Sequence, residues 1–293
     1  MSKRLQIQKH LGVLHEVGEI MAAMKNIALM ETHKLARFLA HQHRVLVGIE
    51  AAAADFLAHY PDIAHPAAGA LPGIVVAIGS QRGFCGDFNQ SLAQAVRRQR
   101  AAGDASQVLA VGRRLASRLG GEQAVIPFDG PGVAEEVQPV LQRVMDALSD
   151  LQARAGKGGP LAVTVLAHSE GERGIGARSI LPAPVPGGAP PRFPYPPRLN
   201  VAAPEFFAEL ARHYLWAQMH DVFYGSLMAE NRRRLQHLEG AIERMEEKAD
   251  DLQRRCNLLR QEEITEEIEV IMLSNDALQA SLRAGRNRPG RAC

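Results

Sequence analysis

Along the first sixty residues apolar side chains recur at steps of three and four. The series runs Leu14, Val17, Met21, Met24, Ala28, then Leu35, Phe38, Val45, Ile49, Ala52 and Phe56, with Glu31 and Gln42 as polar interruptions. This 3.5-residue repeat predicts a long helix with a coiled-coil seam. Gly12, Gly18 and Gly48 weaken the helix on its own, so a partner must hold it. A second series, Leu235, Leu238, Ile242, Met245, Ala249, Leu252, Cys256 and Leu259, keeps the same period without a break. Beyond it Glu263 and Glu266 take the next seam positions, and the apolar stripe resumes one residue out of step at Ile264, Ile268, Ile271 and Leu278. Such a shift predicts a change of partner at that level.

Between the arms the period changes. Gly73–Gly79, Val108–Val111 and Leu161–Leu166 are short apolar runs of buried-strand type, with weaker candidates at Val125–Ile126 and Ile180–Leu181. Helical segments near 88–101, 113–119 and 133–153 alternate with them, which predicts a mainly parallel sheet. The fold class is therefore α/β: a long antiparallel coiled coil of N- and C-terminal helices with an inserted Rossmann-like domain. The expected divisions are an N-terminal helix at 1–60, an α/β domain at 70–185, a Pro-rich linker at 186–204, a C-terminal helix at 205–282 and a disordered basic tail at 283–293. Proline placement supports them: 9 of the 17 prolines fall between Pro182 and Pro204, and none falls in 1–60 or 205–288. The arms would measure about 84 and 115 Å at the helical rise. If they start level, residue 5 meets about residue 260.

Composition narrows the function. The 293 residues carry a net charge of only +2, which argues against nucleic acid as a partner. Between Glu230 and Glu269, 20 of 40 residues are charged, as on the outer faces of a thin solvated helix. The three cysteines form no paired motif, which suits a reducing compartment. No apolar run is long enough to span a membrane, and the N-terminus lacks a signal core.

Gly79–Asn89 follows a strand and precedes a helix, where glycines can cradle a phosphate. It lacks the Gly-Lys-Ser/Thr ending and the GxGxxG register, so a structural turn is the expectation. Gly156–Gly159 lies between a helix and a strand, the wrong order for a phosphate loop, and reads as a connector. Cys85 beside Arg82 has no His in its motif and reads as a small buried thiol. The His residues are scattered. Glu262, Glu263, Glu266, Glu267 and Glu269 read as a solvated face. No catalytic residue, metal ligand or cofactor site is expected.

Three places resemble the gamma subunit of F-type ATP synthases. Ala23-Met24-Lys25 is similar to that family's Ala-Met-Lys. Ser80–Asn89 resembles its Asp-Arg-Gly-Leu-Cys-Gly-Gly-Phe-Asn signature, through Arg82, Gly83, Cys85, Gly86 and Asn89. Arg260-Gln261 and Ile264-Thr265 fall on its Arg-Gln-x-x-Ile-Thr motif. The chain departs at Asp87, at Ser274–Asp276 and before Ala23, as in a divergent branch such as the alternate bacterial F-type ATPases. The resemblance implies a non-catalytic rotor shaft. Its partners would be the alpha and beta subunits of F1, the epsilon subunit and the c-ring of Fo, at the cytoplasmic face of the bacterial plasma membrane. Met24, Lys25, Arg260, Gln261 and Thr265 would contact the beta subunits. A coiled-coil adaptor with an α/β head is the alternative, and a small α/β enzyme on a coiled-coil stem is a further one.

Overall fold

The computed structural model describes residues 3–63, 73–103, 106–154, 162–169, 174–181 and 194–286, without the side chains of 277–286. Two long helices carry it: α1 (Lys3–His59) and α5 (Ala203–Arg286). Between them come β1 (Gly73–Ile78), α2 (Phe88–Ala101), β2 (Gln107–Val111), α3 (Arg113–Arg118), β3 (Val125–Phe128), α4 (Val137–Arg154), β4 (Ala162–His168) and β5 (Ile175–Leu181). The predicted α/β class with two long terminal helices is what the molecule adopts. The chain divides into two compact units: one of Met1–Ala23 with Glu239–Cys293, the other of Met24–Leu238.

The first unit is an antiparallel helix pair. Arg4 Nε lies 2.7 Å from Glu263 Oε2, which fixes the register within a few residues of the expected pairing of 5 with 260. Glu263 thus occupies a seam position because a cation meets it there. Gly18 faces α5, and a Cβ placed on it would stand 3.8 Å from Met245 Cε, an ordinary contact. Gly18→Ala should therefore raise stability by about 0.5–1 kcal/mol, the helix-interior difference between the two residues. A thermal melt that falls instead would show that the seam has no room for the methyl.

The second unit holds the sheet and the other parts of both helices. The sheet is five-stranded, in the order β3-β2-β1-β4-β5. β1 pairs in parallel with β2 and β4, β2 in parallel with β3, and β5 antiparallel with β4. Alternate side chains of β1 serve opposite layers, as strand geometry requires. Ile74, Val76 and Ile78 join α4 and α5 residues such as Val140, Val144, Met219 and Phe223. Val75 and Ala77 join Leu92, Val96 and Leu115 of α2 and α3. Both faces of the sheet are thus covered by helices, and the near-continuous apolar strands follow.

The α1 seam corrects the expected one at four positions. Leu14, Met21, Met24, Ala28, Leu35, Gln42, Ile49 and Phe56 are buried or half-buried, as predicted, whereas Val17, Phe38, Val45 and Ala52 are exposed. Gly18, Leu39, Leu46 and Ala53 face inward instead. Both residues of each pair are apolar or small, so the partner's shape decides. Leu46 packs with Tyr214 and Ala217 of α5, while Phe38 lies at the flank with its ring 5.4 Å from that of Tyr224. The two polar interruptions are satisfied across the unit. Gln42 Nε2 donates to the Ala217 carbonyl at 2.8 Å, and Glu31 Oε2 accepts from the Ala134 amide at 3.3 Å. On α5, helix continues through Arg286, so residues 283–286 correct the expectation of disorder there. The glycine connector at 156–159, residues 186–193 of the expected Pro-rich linker and the last seven residues lie outside the described residues.

Candidate functional site

In open α/β sheets ligands collect outside the carboxyl ends of the strands, where the strand order reverses. Here that place lies between β1 and β4, and the turns that leave the neighbouring strands pack closely beside it. Gly79, Gly112 and Gly130 follow β1, β2 and β3 at van der Waals distance from one another's backbone. A Cβ on Gly112, whose φ is +102°, would stand 2.6 Å from the Gly79 carbonyl oxygen. The turn from β1 to α2 is folded by its own side chains. The Asn89 side chain accepts from the Ser80 amide at 2.9 Å and donates to Ser80 Oγ at 2.7 Å, and Ser80 Oγ donates to the Arg82 carbonyl at 2.9 Å. Gln81 Oε1 accepts from the amides of Arg113 and Gly130 at 3.1 and 2.9 Å. On the β4 side the His168 ring stacks on Phe88 at 4.0 Å, and its Nε2 donates to the Phe88 carbonyl at 2.9 Å. Burial pushes the imidazole below its ordinary range.

The residues Arg82, Gly83, Cys85, Gly86 and Asn89 are therefore brought together, as one turn. Cys85 is buried and its thiol donates to Ser80 Oγ at 3.3 Å. Burial pushes the thiol up, the opposite of what a reactive thiolate needs. Gly86 has a φ of +58°, which suits glycine, but Phe84 holds a φ of +63° with its ring 47% exposed. An aromatic residue in that region is strained and persists only where neighbours over-determine it.

Those neighbours are on α5, and the sequence reading missed them. Arg234 Nε donates to the Gly83 carbonyl at 3.2 Å, its Nη1 donates to Asn231 Oδ1 at 2.7 Å, and its Nη2 pairs with Glu230 Oε1. All three side chains are buried, and Ser226 Oγ one turn earlier donates to the Ile78 carbonyl at 3.2 Å. A signal was present: Glu230, Asn231 and Arg234 interrupt the apolar face of α5 at helical spacing just where the turn would pack. Burial outweighs Arg234 and pushes the Glu230 carboxyl up to about 7. The folded chain thus holds this proton more tightly than the unfolded chain, whose carboxyl titrates near the ordinary value of about 4.3. The associated stability is complete below that value and is lost as pH rises to about 7, on the order of 3 kcal/mol in all. In urea titrations the parent should lose stability relative to Glu230→Gln, which has no titrating group there, over that interval. A difference that is constant with pH would show that Glu230 stays ionised throughout.

The other predicted residues lie elsewhere. Met24 and Lys25 are half-buried on α1 in the second unit. Arg260, Gln261 and Thr265 are exposed on α5 in the first, off the Leu252–Cys256–Leu259 seam. Thr265 Oγ1 donates to the Gln261 carbonyl of its own helix at 2.9 Å, which leaves the Arg260 and Gln261 side chains to reach outward. Past the Arg4–Glu263 pair the apolar stripe is uncovered: Ile264, Ile268 and Ile271 are 47%, 51% and 66% exposed. No helix among the described residues is long and apolar enough to cross a membrane.

A family model described as ATP synthase matches residues 4–278. Among solved structures, a chain of the Euglena gracilis mitochondrial ATP synthase, in an assembly of OSCP, F1 and c-ring, superposes with a TM-score of 0.58 at 13% identity, covering 99% of this chain and 98% of that one. A chain of the rotor of the same enzyme gives 0.55 at 12% identity, over 89% and 98%. A central-stalk and c-ring structure of the Tetrahymena thermophila mitochondrial ATP synthase gives 0.50 at 16% identity, over 76% and 99%. No curated sequence matches significantly.

Proposed function

We propose how this chain, which belongs to the gamma family of ATP synthases and is a central-stalk subunit, carries torque. The observation that carries the reading is the α5 stripe beyond Glu263, where Ile264, Ile268 and Ile271 stand uncovered on a helix whose seam with α1 has ended. A row of half-exposed isoleucines on a slender helix needs a surrounding wall. The alpha and beta subunits of F1 supply such a wall, and the shaft turns within it. The α/β head meets the epsilon subunit and the c-ring of Fo, at the cytoplasmic face of the bacterial plasma membrane.

Torque has to pass between the head and α5, and the bonds just described join them within one unit. Arg234 to the Gly83 carbonyl and Ser226 to the Ile78 carbonyl tie α5 to the sheet.

Arg260 and Gln261 make the contacts that lock the shaft at particular angles, with the guanidinium pairing to carboxylates of the beta subunits through two donors. Each such contact contributes about 1.5–3 kcal/mol. Co-expressed with alpha and beta chains, the protein should co-purify with them in less than one-to-one ratio. Arg260→Ala and Gln261→Ala should assemble with unchanged helicity but turn over ATP more slowly or pump fewer ions per ATP. Parent-like turnover and pumping in both variants would leave these residues as solvated helix surface. Failure to co-purify at all would favour the adaptor reading.

A further inference from the structure

Where α1 ends and α5 begins, aromatic rings crowd together. Phe56, 1% exposed, has its ring 4.8 Å from Tyr60, 5.0 Å from Phe206 and 6.2 Å from Phe207. Beside this cluster lies a cavity of about 690 Å³, floored by Ala52, Phe56 and Phe206 and walled by Tyr195, Pro196 and Pro197. Its volume and its mainly apolar lining fall within the range of small-molecule sites, roughly 300–1,000 Å³. The wall explains why the space stays open. Pro196 and Pro197 have fixed φ and no N–H, so the strap is stiff and seeks no hydrogen bonds from the floor beneath it. Residues 196–199 carry no regular secondary structure. A site preformed in this way loses little freedom when it is occupied.

The polar groups at the mouth define the occupant. His59 Nδ1 donates to the Asp55 carbonyl at 3.1 Å, which leaves Nε2 as an acceptor in the neutral ring. Arg198 is exposed at the rim and makes no hydrogen bond or ion pair among the described residues. Its guanidinium is always charged, stacks on planar groups and takes an oxyanion through two donors. It is the only cation among the described residues that line the cavity, so the rim matches a single negative charge. We propose that the cavity binds a small aromatic monoanion, with its rings packed on Phe56 and Phe206 under the proline strap and its acidic group on Arg198.

Two fluorescent probes test this on the full chain: anilinonaphthalene sulfonate, an aromatic monoanion, and uncharged phenylnaphthylamine. The parent should bind both saturably at one site. Ala52 is exposed on α1, and Ala52→Trp should fill the cavity and abolish that site for both probes, with helicity by circular dichroism unchanged. Arg198→Ala should weaken the sulfonate about tenfold, the size of one charge-assisted contact, and change the neutral probe less than about twofold. Sulfonate binding that is equal in the parent and in Ala52→Trp would place the probe elsewhere and overturn the proposal. An Arg198→Ala effect that is equal on both probes, or absent from both, would overturn the assignment of the anion to Arg198.

Discussion

Arg234→Ala should lower the stability of the chain by roughly 3–5 kcal/mol, the range for removing one partner of a buried ion pair. Glu230 Oε1, Asn231 Oδ1 and the Gly83 carbonyl each lose a donor at once, the last keeping only the weak Cys85 thiol. Glu230 is 3% exposed, so water does not replace the guanidinium. Its carboxyl, already pushed up to about 7 by burial, moves higher still without Arg234. The penalty therefore grows as pH rises above neutral, where holding the proton becomes costly. For a unit of this size the loss corresponds to a fall of about 10 °C in Tm. The strained Phe84 adds a local effect. Gly83 is its neighbour, and freeing that carbonyl lets the turn relax, so exchange of the turn amides should quicken more than exchange in β1. Adding Glu230→Gln should recover most of the stability, because the unpaired carboxyl is gone. A single variant within 1 kcal/mol of the parent, by the scale of ordinary surface changes of about 0.5 kcal/mol, would show that the pair is not a structural lock.

What the sequence made legible, and what it left hidden, follows from the kind of interaction involved. The α5 seam from Leu235 to Leu259 could be read residue by residue, because nearly all the residues between the seam positions are charged or polar and only one face can go inside. On α1 the same reasoning found Leu14, Met21, Met24, Ala28, Leu35, Ile49 and Phe56 but misplaced Val17, Phe38, Val45 and Ala52. There Val17 stands beside Gly18, Phe38 beside Leu39 and Val45 beside Leu46. Period alone does not choose between two apolar neighbours, and the choice falls to the partner helix. β5 was foreseen only as Ile180-Leu181, because an edge strand with three consecutive exposed residues, Ala177, Arg178 and Ser179, has no apolar run to announce it. Its Arg178 instead pairs with Asp221 of α5 at 3.0 Å. The signature turn was recognised from its residues, while its lock on α5 was not. Glu230, Asn231 and Arg234 lie about 150 positions away along the chain, and a charged stretch on a long helix ordinarily means solvent.

The isoleucine stripe at the far end of α5 is where the largest functional effect is expected. Ile264, Ile268 and Ile271 fall at helical spacing on one face, and each is about half exposed or more. Replacing Ile268 and Ile271 together by Asp should leave the isolated chain within about 0.5 kcal/mol of the parent, since neither side chain is buried in it. In the assembled motor the result should be different. Burying an isoleucine contributes about 1.5–3 kcal/mol, so the pair accounts for roughly 3–6 kcal/mol of seating in the surrounding wall. Two carboxylates there also have to be desolvated beside Glu266, Glu267 and Glu269, which adds like-charge repulsion. The complex carrying the double variant should dissociate at a lower temperature and pump fewer ions for each ATP. Ile268→Leu with Ile271→Leu, which keeps the volume, should restore both properties. If the Asp variant assembles, holds together and pumps like the parent, then no close-fitting wall surrounds this helix, and the stripe needs another explanation.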